Sequence, residues 1–268
     1  MKKTRLLAFL LTACLATTCF LSGTVAKYSS TAAGEDSARV AKWSFNVGKE
    51  GATENITTQN TFKYETKRNN LFLRVAKGHF ATSNCHSNYY IDVVAQKMRL
   101  SEAQAVAEEL CTYMYHSTVV DTILCLDGTE VIGTCLAHQL AKADFINLNA
   151  HKSIYVVTPE TTSSSQLLFR DNIVPMIASK NVLILAVSVA SGKTVEAAID
   201  AVNYYGGKVS AVSAIFSTAE NCGGFPVYSC FNPKDLSDYN SYPAHECPMC
   251  KAGIKIDALV NCHGFSKI

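Results

Sequence analysis

The sequence has little charge, and this excludes two classes of protein. Charged residues make up only 17% of the 268 residues, and the formal net charge is +2. The chain therefore lacks the strongly basic character of nucleic-acid-binding proteins and the apolar-poor composition of disordered ones. Since 48% of the residues are hydrophobic, we expect one well-cored globular domain with an appendage.

A disulfide framework is not indicated either. The chain has eleven cysteines, but nine of them are scattered from Cys85 to Cys262, and Cys247 and Cys250 form the one tightly spaced pair among these. A secreted disulfide scaffold is typically a short chain with an even number of cysteines. The pattern favours a reducing compartment, so we expect the body of the chain to be cytoplasmic.

The amino terminus predicts the opposite compartment. Residues 1–5 carry three cations, residues 6–21 carry no charge, and residues 24–26 supply small side chains. This is the architecture of a secretory signal, and sixteen apolar residues are fewer than the roughly twenty that span a bilayer. A buried amino-terminal helix is the alternative. Residues 26–28 and 36–45 resemble the start of exported bacterial matrix and camelysin-type proteins.

These observations divide the chain into three parts. Residues 1–26 are predicted as a signal-peptide-like segment, which implies export or membrane association. Residues 27–64 are predicted as a linker or the remnant of an exported-protein amino terminus, because residues 48–60 are polar and no second core is indicated before Asn60. Residues 65–268 are predicted as the folded domain. The compartment of the whole chain stays open at this point.

The domain alternates apolar strands with helices. Apolar runs bounded by turn residues predict buried strands, and amphipathic periodicity predicts helices between them. The predicted strands are residues 119–126, 153–157, 181–189, 209–216 and a short edge at 227–230, and the predicted helices are residues 101–114, 130–143 and 194–205. Strands that are apolar on both faces indicate an α/β fold with a parallel sheet covered on both sides. In such sheets ligands bind beyond the carboxyl ends of the strands.

The loop after the strand 181–189 has the composition of a phosphate site. Backbone amides at a helix start can hold a phosphate, and a glycine lets the backbone approach it closely. The candidate binding residues are Ser188, Ala190, Ser191, Gly192, Lys193 and Thr194. A nucleoside-triphosphate P-loop would need a glycine five positions before Gly192, where Val187 stands. A plain strand-to-helix turn remains the other interpretation.

Three stretches together resemble orotate phosphoribosyltransferases. Ser83, Ser87, Tyr90 and Asp92 match that family's opening motif, in which its lysine and glycine are replaced here by Thr82 and Asn84. Residues 246–253 resemble its carboxy-terminal Cys-Pro-x-Cys signature, and residues 182–194 resemble the strand and turn of its phosphoribosyl-pyrophosphate loop without the acidic pair of that motif. The resemblance covers roughly residues 71–268 and implies a type I phosphoribosyltransferase fold, which is Rossmann-like.

The resemblance also implies an activity and a site. The family joins a pyrimidine-type nitrogenous base to the ribose of phosphoribosyl pyrophosphate, usually with Mg²⁺, and we expect a homodimer and no nucleic-acid partner. The site residues so implied are Lys152 and His151 for catalysis on pyrophosphate, Ser83, Tyr90, Asp127 and Gly128 for substrate, and Asp127 also for the metal.

Two departures from the family's motifs, the missing acidic pair and Thr82 at the position of the lysine, set a second hypothesis beside the first. Ala186 and Val187 occupy the positions of the family's acidic pair, whose carboxylates bind the ribose hydroxyls. Loss of charged-acceptor hydrogen bonds of about 1.5–3 kcal/mol each predicts roughly ten- to hundredfold weaker recognition per bond. The alternative is therefore a catalytically degenerate protein that binds a phosphorylated ligand or a protein partner.

The pair Cys247 and Cys250 leaves a further choice open. A zinc site would need a second pair of ligands, and the nearby candidates in the sequence are His245, Cys262 and His263. A structural turn around Pro248 is expected instead, with zinc and redox chemistry as alternatives.

Overall fold

The computed structural model describes residues 61–65, 71–142, 144–163, 166–236 and 238–268. The predicted signal segment and nearly all of the predicted linker lie outside these ranges. No helix within the described ranges combines the length and the apolar character that a membrane crossing requires.

The described residues form fourteen β-strands and five α-helices. The strands are β1 (Thr61–Glu65), β2 (Phe72–Ala81), β3 (His86–Asp92), β4 (Thr122–Cys125), β5 (Tyr155–Val157), β6 (Glu160–Thr161), β7 (Leu167–Leu168), β8 (Asn181–Val189), β9 (Lys208–Ser217), β10 (Asn221–Cys222), β11 (Phe225–Phe231), β12 (Ser241–Tyr242), β13 (Ala258–Asn261) and β14 (Gly264–Lys267). The α-helices are α1 (Val94–Met98), α2 (Leu100–Met114), α3 (Glu130–Leu140), α4 (Lys193–Tyr204) and α5 (Pro248–Lys251).

The centre of the domain is a parallel sheet in the order β11-β9-β8-β4-β5, with β10 added antiparallel at one edge. All four residues of β4 are buried, as are seven of the nine in β8. Strands buried on both faces are typical of parallel sheets covered by helices. The predicted α/β fold with a parallel sheet is thus confirmed.

Helices cover the two faces of this sheet. On one face, Leu110 and Met114 of α2 and Ile132 and Leu136 of α3 are fully buried in one core. On the other face, the apolar stripe of α4 packs against β8 and β9 in a second core, which contains Val195, Ala198, Ile199, Val202, Ile184 and Val212. Burial of each large aliphatic side chain stabilises the fold by about 1.5–3 kcal/mol.

The helix boundaries differ slightly from those predicted. Helix α2 begins at Leu100, one residue before the predicted start, and its N-cap Arg99 makes no side-chain capping bond. Helix α4 ends as predicted, because Gly206 adopts φ 77° and Gly207 donates its N–H to the Val202 carbonyl at 2.9 Å.

A second sheet joins the two ends of the domain, in the order β12-β3-β2-β13-β14, with β1 also paired to β2. The hairpin β2–β3 is antiparallel, whereas β13 runs parallel to β2. The pairing of β2 and β3 shifts register between Lys77 and Phe80, which marks a β-bulge. Because β1 pairs with β2, residues 61–65 belong to the folded domain, although the predicted boundary lies at residue 65.

Candidate functional site

A cleft of about 310 Å³ lies beyond the carboxyl ends of β4 and β8, where it meets the second sheet. Its walls come from the loop after β8, the turn after β4, the tip of the β2–β3 hairpin and the end of β13. The carboxyl edge of a parallel sheet is the position at which α/β proteins bind ligands. Of the predicted binding residues, the cleft brings together Ser83, Tyr90, Asp127, Ser188, Ala190, Ser191, Gly192 and Thr194. Lys193 and Gly128 adjoin it without lining it.

The loop between β8 and α4 presents unpaired backbone amides. Gly192 is the N-cap of α4 and adopts φ 76°, a left-handed conformation that favours glycine. No backbone N–H from Ala190 to Val195 has a hydrogen-bond acceptor within the described part of the chain. Thr218 fixes the start of the loop, because its hydroxyl donates to the Ala190 carbonyl at 3.0 Å. Free amides and the positive end of a helix dipole together form an anion site.

Asp127 places a carboxylate in the cleft at the turn after β4. Its φ of 57° and that of Gly128, 78°, make two consecutive left-handed residues. Burial raises the pKa of the Asp127 carboxyl, and this effect outweighs the attraction of Lys97 and a hydrogen bond from the backbone N–H of Val187. No other residue that lines the cleft, among those described, carries a carboxylate. Strained backbone at such a position is typical of functional sites.

Lys97 is a buried cation beside this turn, and the sequence did not single it out. Its ammonium group donates to the Asp127 carbonyl at 2.7 Å and to the Cys262 carbonyl at 2.5 Å. The residue is only 2% exposed. Helix α1, which carries it, has five residues and no recognisable motif, so no sequence signal could have identified it. Lys97 fixes the Asp127 turn against the second sheet and supplies positive charge next to it.

The hairpin tip closes the cleft from the opposite side. The Thr82 hydroxyl oxygen accepts the N–H groups of Asn84 and Cys85 at 3.2 and 2.9 Å, which shapes the turn that exposes Ser83. Tyr90 is 7% exposed, and burial raises the pKa of its phenol. Ser83 and Tyr90 of the opening motif thus both line the cleft, and their contact with substrate stays a prediction.

The two positions of the missing acidic pair have different surroundings. Val187 is 5% exposed and lines the cleft beside Asp127. Ala186 is 1% exposed and packs in the core below α4. The Asp127 carboxylate accepts the Val187 N–H and therefore lies next to this position.

Lys152 and His151 are not brought to the cleft. The Lys152 ammonium group lies 3.1 Å from the Asp121 carboxylate, and the same carboxylate accepts the backbone N–H of Asn181 at 3.0 Å. Asp121 and Asn181 mark the amino ends of β4 and β8. At about 3.3 Å per residue, the amino end of β8 is roughly 26 Å from Val189 at its carboxyl end. The geometry thus gives no support to the predicted catalytic role of these two residues.

No family model and no curated protein matches the chain. Solved structures do, with modest scores. The chain is similar to orotate phosphoribosyltransferase from Mycobacterium tuberculosis with a TM-score of 0.44 and 16% identity over 61% of this chain and 92% of that one. A structure of the same enzyme in complex with 5-phospho-α-D-ribosyl 1-diphosphate has a TM-score of 0.41 and 15% sequence identity over 55% of this chain and 82% of that one. Adenine phosphoribosyltransferase from Thermoanaerobacter pseudethanolicus has a TM-score of 0.41 and 15% sequence identity over 54% of this chain and 88% of that one. These structural neighbours are phosphoribosyltransferases.

Proposed function

We propose that the cleft binds phosphoribosyl pyrophosphate and that the chain is a phosphoribosyltransferase of the orotate type. The observation that carries the proposal is the run of unpaired amides from Ala190 to Val195 at the start of α4. Such amides can donate hydrogen bonds to a 5′-phosphate without any cationic side chain, because the N–H dipoles and the helix terminus supply the positive potential. The hydroxyls of Ser191 and Thr194, both at the cleft, can add further donors.

Asp127 is the residue that we assign to the ribose and to the metal. Its carboxylate adjoins Val187, so it can accept a ribose hydroxyl where the family's acidic pair is missing. Mg²⁺ is commonly held by one or two carboxylates together with substrate phosphates. A single half-buried carboxylate at the edge of a phosphate-sized cleft fits that coordination. When bound, the metal would neutralise charge on the pyrophosphate.

The proposed reaction forms a bond between a ring nitrogen of a pyrimidine-type base and C1 of the ribose, while the bond from C1 to pyrophosphate breaks. Charge develops on the departing pyrophosphate, so positive groups near it stabilise the transition state. Lys97 is the cation next to the Asp127 turn. The hairpin tip, with Ser83 and Tyr90, lies across the cleft, where it can contact the base.

A second function is favoured by one observation. Lys152 is paired with Asp121 at the far edge of the sheet, and no lysine, arginine or histidine is among the described residues that line the cleft. A cleft with an anion loop but without a cation on the pyrophosphate is suited to binding a phosphorylated ligand without transfer. Under this alternative the protein is a degenerate member of the family.

Turnover separates the two functions. The full chain is incubated with phosphoribosyl pyrophosphate, Mg²⁺ and orotate, and released pyrophosphate is measured. Transferase activity predicts orotate-dependent release that falls in an Asp127→Asn variant. Binding without any orotate-dependent release identifies the degenerate binder. The homodimer remains a prediction, which sedimentation of the full chain measures.

A further inference from the structure

Two cysteines and two histidines from distant parts of the chain converge on one point. His79 lies in β2 and His86 begins β3. Cys247 is the N-cap of α5, and Cys250 lies within that helix. One ligand atom from each of the four lies within 4.8 Å of every other. His79, His86 and Cys247 are buried, and Cys250 is exposed.

The separations between these atoms match the edges of a coordination tetrahedron. With Zn–S bonds of about 2.3 Å and Zn–N bonds of about 2.05 Å, the edges should be about 3.4 Å between nitrogens and about 3.6 Å between nitrogen and sulfur. His79 Nε2 lies 3.1 Å from His86 Nδ1 and 3.5 Å from Cys247 Sγ. Cys250 Sγ lies 3.6 Å from His79 Nε2 and 3.2 Å from His86 Nδ1. The four atoms are therefore close enough to share one ion.

Hydrogen bonding outside the cluster prepares His79 as a ligand. Its Nδ1 lies 2.9 Å from the Ile254 carbonyl oxygen, which can only accept, so the ring proton is on Nδ1. The neutral ring then presents the lone pair of Nε2 to His86, Cys247 and Cys250. A carbonyl that fixes the tautomer in this way is the usual outer contact of a metal-bound histidine.

The backbone explains how two strands and a turn provide these ligands. The bulge between Lys77 and Phe80 contains His79, and bulges re-aim side chains. Ala81 pairs with His86, which brings the second histidine to the same end of the hairpin. The Asp257 carboxylate accepts the His79 N–H at 2.7 Å and anchors the segment after α5 to β2.

We propose that His79, His86, Cys247 and Cys250 bind one Zn²⁺ ion as a closed structural site. Two thiolates and two imidazoles in a tetrahedral arrangement select zinc over the hard cations, which prefer oxygen. The ion would cross-link the β2–β3 hairpin to the carboxy-terminal turn, and the tip of that hairpin, residues 82–85, lines the cleft. A turn without metal was expected because the sequence shows no complete second ligand pair close to Cys247. In the folded chain, His79 and His86 of the hairpin provide that pair.

Metal analysis of the full, untagged chain, purified under reducing conditions, tests the site. We expect about one zinc per chain, and its loss in Cys250→Ser, which alters an exposed side chain and spares the core. His245→Gln and Cys111→Ser are matched controls, since neither residue belongs to the cluster, and both should retain the zinc.

A second measurement does not depend on the metal acquired in the cell. The chain is stripped with a chelator and titrated with Co²⁺. A tetrahedral site with two thiolates should give intense ligand-field bands and sulfur-to-cobalt charge transfer, both absent in Cys250→Ser. Zinc should also raise the melting temperature of the unmodified chain but not that of the variant. Failure of the reduced chain to bind either metal, or equal binding by Cys250→Ser, would overturn the proposal, as would loss of metal in either control.

Discussion

Substitution of Gly192 by alanine should weaken phosphate binding at the cleft at least tenfold while leaving the fold intact. Gly192 has φ 76°, and an added Cβ would lie 3.0 Å from Cys222 Sγ. The left-handed conformation costs an alanine about 1–2 kcal/mol. The loop can avoid both the strain and the contact only by moving, and the amides from Ala190 to Val195 would then no longer converge. Loss of one or two charge-assisted hydrogen bonds of about 1.5–3 kcal/mol each predicts at least tenfold weaker binding.

Gly206 provides a matched control at the other end of α4. Its φ is 77°, and an added Cβ would have no atom within 4 Å. Gly206→Ala should therefore lose stability by about the same 1–2 kcal/mol without disturbing the cleft. Calorimetry with ribose 5-phosphate, together with urea unfolding, compares the two variants with the unmodified chain. Equal affinity in Gly192→Ala and Gly206→Ala would show that the amides of this loop do not hold the phosphate.

Three further predictions concern the cleft, the far edge of the sheet and the domain boundary. Asp127→Asn should raise the free energy of unfolding near neutral pH, because burial raises the pKa of this carboxyl and its charged form costs stability. The gain in stability should vanish below about pH 3.9, the usual pKa of an aspartate carboxyl. Urea unfolding at several pH values measures the gain, and a variant that is less stable than the unmodified chain at pH 7 would contradict this prediction. Lys152→Ala should lower stability by only about 0.2–1 kcal/mol, as for other partly exposed ion pairs, and should not change ligand affinity; a large loss of affinity in calorimetry would restore its catalytic role. Residues 61–268 alone should melt cooperatively in calorimetric scans, whereas a chain that begins at residue 66 should be less stable, since β1 pairs with β2.

The central sheet could be predicted from the sequence because its signals are local. A short, β-branched apolar run such as residues 181–189 is typical of a buried strand, and Gly206 ends a helix by its own conformation. The loop between β8 and α4 could be singled out as a candidate phosphate site for the same reason, since its strand, glycine and helix are contiguous.

What the sequence did not show depends on contacts between distant segments. The second sheet pairs β13 with β2 across most of the domain, and no local pattern encodes that pairing. The position of Lys97 follows from the packing of α1 against the Asp127 turn and Cys262. The pair His79 and His86 meets Cys247 only in the folded chain, and a search confined to neighbours of the cysteines could not find it.

The proposed function depends on whether the cleft binds phosphoribosyl pyrophosphate. Calorimetry of the full chain with this ligand, with and without Mg²⁺, measures that directly. The structure predicts saturable binding at submillimolar concentration, tighter with Mg²⁺ and weakened at least tenfold by Gly192→Ala. An absence of binding heat with the unmodified chain at millimolar ligand, with both phosphoribosyl pyrophosphate and ribose 5-phosphate, would contradict it and leave the loop before α4 as a connector only.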